Sequence, residues 1–125
     1  MKIAILDDYF SRAQSCADWG SSDDLTFTFF HSHVSDTSEL IKVLMPFEAV
    51  GLMRERTLFP REIIEALPNL KLIVTSGMRN AAIDLDAAKA RKVVVCGTSS
   101  PGHATAELAF MLVMMLCRRV MPLVN

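Results

Sequence analysis

Two polar turns, at residues 76–80 and 98–105, contain the groups best suited to bind a small molecule. Each turn follows an apolar run that is typical of a buried strand and precedes a helical pattern. The stretch 70–110 therefore predicts a βαβ unit. Because its strands are parallel, both turns lie at the carboxyl edge of the sheet, where α/β proteins bind ligands. We expect the functional site at these two turns.

The first turn offers backbone N–H groups to an anion. Its bend is formed by Ser76, Gly77, Met78 and Arg79. Successive amides of this kind can converge on a carboxylate as an anion nest does. The alternative is an ordinary turn that needs a positive φ at Gly77. Asn80 and Asp84 flank the turn, and we expect their side chains mainly to satisfy free backbone donors.

One arginine is placed to bind a carboxylate beside this turn. Arg54 follows a predicted buried strand, and a guanidinium suits bidentate carboxylate recognition. Its position at a strand end favours a binding role. The alternatives are a surface ion pair between Arg54 and Glu55, and use of the neighbouring Arg56 in its place.

The three histidines form no recognisable site. His31 and His33 are spaced by two at a predicted strand end, but no third ligand accompanies them, so we assign no metal. His103 lies at or next to the N-cap of the last predicted helix. There a solvent-facing or capping role is favoured over acid/base catalysis.

Apolar periodicity predicts five strands that alternate with helices. The strands are expected at residues 3–6, 25–30, 49–53, 70–75 and 93–96, with 70–75 as a central strand. The helices are expected at residues 10–19, 36–45, between Pro60 and Pro68, at 84–90 and at 103–120. Asp36 is the predicted N-cap of the second helix. This alternation predicts a doubly wound parallel sheet with helices on both faces.

Composition narrows the class of partner. The 125 residues, 51% of them hydrophobic, can bury one core, and the net charge of −1 gives no reason to expect nucleic acid or an anionic membrane. The apolar run 108–117 is too short to span a membrane. Cys16, Cys96 and Cys117 lack metal-ligand spacing, so we expect buried thiols in a reducing cytoplasm.

The last predicted helix is apolar nearly all round, which an exposed surface helix cannot be. More chain or a partner must cover it. Its methionines, at positions 111, 114 and 115 with Met121 just beyond, are expected to pack in a core or an interface rather than to bind a cofactor.

Four segments carry a family resemblance. They are GLMRERT (51–57), LPNLKLI (67–73), TSGMRNAAIDLDAA (75–88) and ATAEL (104–108). Together they resemble the N-terminal region of the D-isomer-specific 2-hydroxyacid dehydrogenases, whereas residues 1–50 resemble it only in their strand and helix pattern. The resemblance implies a flavodoxin-like substrate domain at 1–102, followed by a crossover helix at 103–125 that leads to a Rossmann domain for NAD and helps to bury a dimer interface. The five glycines form no G-x-G-x-x-G, so the sequence predicts a substrate domain cut at the crossover.

The resemblance also assigns roles to single residues. It implies that the bend at 76–79 grips a carboxylate and that Arg54 points toward the substrate. Arg79 stands where many relatives carry a small residue, which predicts a narrower or more cationic pocket. Thr105 and Glu107 would approach the nicotinamide end of the cofactor, although Glu107 equally suits a first-turn acid that stabilises the helix dipole. The family's catalytic Arg, Glu and His lie downstream, so no catalytic residue is assigned here.

The implied reaction interconverts 2-keto acids and D-2-hydroxy acids with NAD or NADP. This chain is expected to bind a small 2-keto or 2-hydroxy acid weakly, to bind no cofactor strongly and to show no turnover alone, and to form a homodimer through 103–125. The competing hypothesis is a non-enzymatic flavodoxin-like binding module or a receiver-type regulatory module, which the Asp7-Asp8 pair suggests. A receiver would also need an Asp and a Lys where this chain has Met53-Arg54 and Gly97-Thr98.

Overall fold

The computed structural model describes residues 1–20, 24–99 and 103–120. Within these ranges five strands form one parallel sheet in the order β2-β1-β3-β4-β5. The strands are β1 (Lys2–Ile5), β2 (Thr26–Phe29), β3 (Ala49–Leu52), β4 (Leu72–Thr75) and β5 (Val94–Gly97). The predicted flavodoxin-like α/β fold is thereby confirmed. The middle strand is β3, and β4 lies between it and β5.

Five helices alternate with the strands in the described part of the chain. They are α1 (Ala13–Cys16), α2 (Thr37–Leu44), α3 (Arg61–Ala66), α4 (Leu85–Ala90) and α5 (His103–Cys117). The predicted helices at 36–45 and 84–90 are confirmed to within two residues at each end. The helix predicted between Pro60 and Pro68 is α3, with Pro60 as its N-cap and Leu67 as its C-cap.

The helix predicted at 10–19 is wrong in length, because α1 is a single turn. The Asp8 carboxylate caps it by accepting from the Ala13 N–H at 3.2 Å. Directly after the helix, Ala17 is extended (φ −148°, ψ 155°). This change of direction brings the Trp19 ring to 5.1 Å from that of Phe27, and aromatic contact with the sheet replaces the helical path.

One face of the sheet is covered by α2, α3 and α4. Each helix buries a pair of apolar side chains: Leu40 and Leu44, Ile63 and Ile64, and Ala87 and Ala88. They pack against strand residues that include Ala4, Val50, Leu52 and Ile73. Removing a side chain such as Leu44 or Ile64 from water contributes about 1.5–3 kcal/mol. This layer is the core that holds the carboxyl edge in place.

The opposite face of the sheet carries an open apolar hollow. Its volume is about 290 Å³, and strand side chains line most of it, among them Ile3, Ile5, Phe27, Leu72 and Val74. Trp19 lies at its margin and packs on β2. A parallel sheet is ordinarily covered on both faces, so this face is suited to contact with further polypeptide.

The α5 helix has the apolar character that its sequence predicts. None of its residues is buried, and Leu108, Phe110 and Leu116 are exposed. Of the helices that the structure describes, none has the length and apolarity needed to cross a membrane. Met121 lies outside the described residues.

The prediction of buried thiols is wrong, because Cys16, Cys96 and Cys117 are all exposed free cysteines. Cys16 ends the one-turn helix. Cys96 lies on the edge strand β5, and Cys117 ends α5, of which no residue is buried. An apolar sequence neighbourhood does not bury a thiol where no second layer covers it.

Both predicted aspartate caps are confirmed. The Asp36 carboxylate accepts from the Glu39 N–H at 2.7 Å at the start of α2. The Asp84 carboxylate accepts from the Ala87 N–H at 2.8 Å at the start of α4. Each cap satisfies a backbone donor that the first turn of a helix leaves free.

Replacing Asp36 by alanine is expected to lower the free energy of unfolding by about 1 kcal/mol, because the Glu39 N–H loses its acceptor. Urea denaturation followed by circular dichroism measures the loss. Ser38→Ala, at an exposed position of the same helix, is the control, with a change expected below about 0.5 kcal/mol. Equal stability of the two variants would refute the capping role.

Candidate functional site

The carboxyl edge of the sheet brings Arg54 and the turn at 76–80 together, as predicted. The Arg54 backbone N–H donates to Ser76 Oγ at 2.9 Å. The Asn80 amide donates to Arg54 O and, at 2.8 Å, to Thr75 Oγ1. These bonds link the loop after β3 to the end of β4 and the turn that follows it.

The amides of the turn are only partly free to meet a ligand. The Ser76 N–H donates to Leu52 O at 3.0 Å, and the Gly77 N–H donates to Thr98 Oγ1 at 3.0 Å. Among the described residues, the N–H groups of Met78 and Arg79 have no acceptor. Of the four N–H groups that were expected to face an anion, only those of Met78 and Arg79 are therefore free in the described structure. Gly77 has a φ of 103°, which is the positive value that the alternative, an ordinary turn, requires.

The two arginines of the loop after β3 have different surroundings. Arg56 Nη1 donates to Asp7 O at 2.9 Å, and its guanidinium lies 4.7 Å from the centre of the Tyr9 ring. Within the described chain, the Arg54 guanidinium makes no hydrogen bond or ion pair. Glu55, the suggested partner of Arg54, instead accepts from the Ala81 N–H at 3.2 Å. Of these two arginines, Arg54 is the one whose guanidinium has no partner in the described chain.

A hollow of about 380 Å³ lies beside the turn. It is lined by Thr75, Met78, Arg79, Asn80, Ala81, Ile83, Leu85, Val95 and Gly97. This volume is in the range of small-molecule sites. Arg79 supplies a positive charge, and none of the lining residues is acidic. The hollow is therefore suited to a small anion.

Asn80 and Asp84 have the structural roles that were predicted. Asn80 Oδ1 accepts from the Ala82 N–H at 2.9 Å, and its amide nitrogen bridges the two strand ends. Asp84 caps α4 and lies 3.7 Å from the Arg61 Nε. Neither side chain is left free for a ligand.

The second predicted turn is only partly described. Thr98 is present and accepts from Gly77, but residues 100–102 lie outside the described ranges. Thr105 and Glu107 are exposed in the first turns of α5, and their side chains make no hydrogen bond to a described residue. Their cofactor role stays a prediction. His103 is the first residue of α5 and is also exposed.

A second polar cluster, at the ends of β1 and β3, was missed by the sequence reasoning. Its centre is Asp7, which is 2% exposed and has a φ of 60°. The carboxylate accepts from Thr57 Oγ1 at 2.7 Å and from the Tyr9 hydroxyl at 3.0 Å, and it lies 3.2 Å from His33 Nδ1. The sequence feature that could have revealed this cluster is the Asp7-Asp8 pair directly after the first strand. It was interpreted only as a possible sign of a receiver-type regulatory module.

The cluster raises the pKa of Tyr9 above its ordinary value of 10.0. Desolvation is the main cause, and the hydrogen bond and negative charge of Asp7 add to it. The nearby Arg56 guanidinium acts in the opposite direction. The neighbouring Asp8 is 6% exposed and is used in capping α1. Neither aspartate has the open position that phosphorylation of a receiver requires.

Comparison with known proteins identifies the family to which this chain belongs. The family model for the D-isomer specific 2-hydroxyacid dehydrogenase catalytic domain matches residues 3–118. The chain therefore belongs to this family, as the four sequence segments indicated.

Particular relatives agree with this assignment. The chain is 35% identical over 85 residues to the D-3-phosphoglycerate dehydrogenase of Archaeoglobus fulgidus, an alignment that covers 66% of this chain and 16% of that protein. A phosphoglycerate oxidoreductase from Vibrio cholerae O395 superposes with a TM-score of 0.83 and 37% identity, over 92% of this chain and 36% of that one.

A more distant structure carries a cofactor. An NAD-dependent formate dehydrogenase from Staphylococcus aureus, in complex with NAD, superposes with a TM-score of 0.65 and 25% identity, over 98% of this chain and 40% of that one. In each of these comparisons the chain spans well under half of its relative.

A side chain at Gly97 is expected to displace the turn at 76–79. Its Cβ would lie 2.7 Å from Gly77 O and 2.9 Å from Met78 Cα, which are backbone atoms that cannot rotate away. Gly97→Ala should lower the free energy of unfolding by roughly 1–3 kcal/mol. It should also move the amide NMR signals of residues 76–79.

Gly51→Ala is the matched control for Gly97. Its Cβ would meet the Ile5 Cδ1 at 2.8 Å, and this flexible end of a side chain can turn aside. We expect a smaller loss of stability and unmoved signals at 76–79. If Gly97→Ala costs no more than Gly51→Ala, β5 does not constrain the turn.

Tyr9 is the only tyrosine of the chain, so its ionisation can be followed by ultraviolet absorbance. We expect a midpoint above 10.0 in the native protein. In Asp7→Asn the midpoint should fall, because the negative charge that opposes ionisation is removed. Asp86→Asn, at an exposed position of α4, should leave it unchanged. A midpoint insensitive to Asp7→Asn would show that the carboxylate does not act on Tyr9.

Proposed function

We propose that this chain is the substrate-binding part of an NAD(P)-dependent dehydrogenase that interconverts 2-keto acids and D-2-hydroxy acids. Hydride transfer to a 2-keto acid requires a donor cofactor, an acid near the carbonyl oxygen and a clamp on the carboxylate. In this proposal the chain supplies the clamp. The observation that carries it is the bond between Arg54 N and Ser76 Oγ, which fixes the backbone of Arg54 next to the turn. The guanidinium of Arg54 has no partner in the described chain.

The clamp combines two kinds of donor. The amides of Met78 and Arg79 have no acceptor in the described structure, and the Arg54 guanidinium can form a bidentate pair with a carboxylate. The Asn80 side chain links the loop that carries Arg54 to the turn after β4, because its amide donates to Arg54 O and to Thr75 Oγ1. These bonds fix the backbone of the clamp before a ligand arrives, so the Arg54 side chain is the part that must become ordered on binding.

Arg79 adapts the pocket to its substrate. It lines the hollow beside the turn at 76–80. A second cation at this position favours a substrate with a further anionic group, such as a dicarboxylate or a phosphorylated acid. Ser76 and Gly77 support the turn through their bonds to Leu52 and Thr98.

The residues of this chain do not fit the dinucleotide itself. No G-x-G-x-x-G is present in the sequence. The connection after β1, where a pyrophosphate would approach a first βα turn, carries the carboxylates of Asp7 and Asp8. In the proposed enzyme, Thr105 and Glu107 at the start of α5 lie on the cofactor side of the cleft.

The exposed surface of α5 is suited to a protein interface. Leu108, Phe110 and Leu116 would be covered in a homodimer formed through residues 103–125. Three free thiols are compatible with the cytoplasm, where disulfides are rare.

The clamp can be tested with the 125-residue chain. Pyruvate should move the amide signals of Met78 and Arg79 saturably, whereas pyruvamide, which lacks the carboxylate, should not. Arg54→Ala should weaken pyruvate binding by about tenfold or more, since a charge-assisted pair is lost.

Arg61→Ala is the matched control for Arg54. Arg61 is an exposed arginine at the start of α3 that contacts Glu65 and Asp84 and does not line the hollow beside the turn. We expect its affinity for pyruvate to be unchanged. Equal loss in both variants, or equal binding of pyruvate and pyruvamide, would remove the support for a carboxylate clamp.

A further inference from the structure

A separate crevice lies at the carboxyl ends of β1 and β3, from which the chain continues toward opposite edges of the sheet. From β1 the chain passes through α1 to β2 on one side, while β3 lies on the other side and leads to β4. In open α/β sheets, ligands bind outside the carboxyl ends of the strands at such a switch point. The clamp described above joins the loops after β3 and β4, and none of its residues lines this crevice.

The crevice is a cavity of about 240 Å³ between α2 and the loop that precedes α3. Its polar lining residues are His33, Ser35, Thr37, Arg56 and Thr57, and its apolar ones are Val34, Leu40, Leu58, Pro60 and Ile63. None of the ten is acidic. A cavity with cationic and hydroxyl groups, and with no carboxylate in its wall, is suited to an anion.

His33 is held in place from behind by a buried carboxylate. Its Nδ1 lies 3.2 Å from Asp7 Oδ1, and Thr57 donates to the other oxygen of the same carboxylate at 2.7 Å. The side chain of His33 is 39% exposed and lines the cavity. Because Nδ1 is used by Asp7, the ring nitrogen left for a ligand is Nε2, which no described residue contacts.

Arg56 is fixed by two contacts that leave most of its donors free. One N–H of Nη1 is used by Asp7 O at 2.9 Å, and the guanidinium lies over the Tyr9 ring. In the described chain the remaining guanidinium N–H groups have no acceptor. A guanidinium fixed in one plane loses little freedom when it binds an oxyanion.

We infer that this crevice is a second binding site, for a small organic anion. The carboxylate or phosphate of the ligand would bind Arg56 and His33, with the hydroxyls of Ser35 and Thr37 as further donors. A short apolar body would lie against Leu58. Asp7 is the positioning residue of this site, because it holds both His33 and Arg56. The inference does not rest on the proposed function, since the two sites share no lining residue.

Amide and side-chain NMR of the 125-residue chain can test the site with inorganic phosphate and butyrate as separate probes. At least one probe should saturably move the His33 ring and Arg56 side-chain signals. The two probes distinguish a phosphate ligand from a carboxylate ligand. Arg56→Gln should weaken that binding by about tenfold or more, because the charge-assisted pair is lost.

Two variants make the outcome decisive. Arg61→Gln, at the exposed arginine of α3, should bind the probe as the unchanged chain does. Arg54→Ala should also leave it unchanged, so failure of the clamp and failure of this site are separable. The inference is overturned if neither probe moves the His33 and Arg56 signals, or if Arg56→Gln binds as tightly as Arg61→Gln. Circular dichroism spectra that match between variants confirm that each one is folded.

Discussion

Parallel pairing of all five strands is the constraint on which the rest of the structure depends. It places every strand-to-helix connection at one edge of the sheet, so residues far apart in the chain meet there. Asp7 and Thr57 are fifty residues apart in sequence and form a buried hydrogen bond. Arg54 and Ser76 meet at the same edge. The chemistry of this protein is therefore a property of the sheet order rather than of any continuous motif.

Local signals made the element order predictable. Aspartates at the starts of α2 and α4 accept hydrogen bonds from backbone N–H groups of the first helical turn. Pro60, which has no N–H group, is the N-cap of α3. The first helix was predicted at 10–19, whereas α1 spans only Ala13–Cys16. In the structure the helix ends at Cys16, and Trp19 packs on the aromatic residues of β2. The end of the helix thus depends on a contact with another strand, which sequence periodicity does not encode.

The candidate site was predictable only in part. Gly77 identified a left-handed turn, and the strand-end position of Arg54 placed it beside that turn. The sequence did not reveal that Thr98 uses the Gly77 amide or that Arg56 is held by Asp7. The thiols were placed wrongly for a related reason: whether an apolar segment is buried depends on a second layer, and the sequence of the segment does not specify that layer. Each of these errors concerns long-range packing.

The open face of the sheet has a practical consequence for spectroscopy. With Ile5, Phe27 and Val74 lining a hollow and α5 exposing its apolar side chains, the native chain offers sites to solvatochromic dyes such as anilinonaphthalene sulfonate. Fluorescence of such dyes is commonly taken as a sign of a molten globule. In this protein bright dye emission is compatible with full native order, so near-ultraviolet dichroism of the Trp19 cluster is the sounder criterion of intact packing.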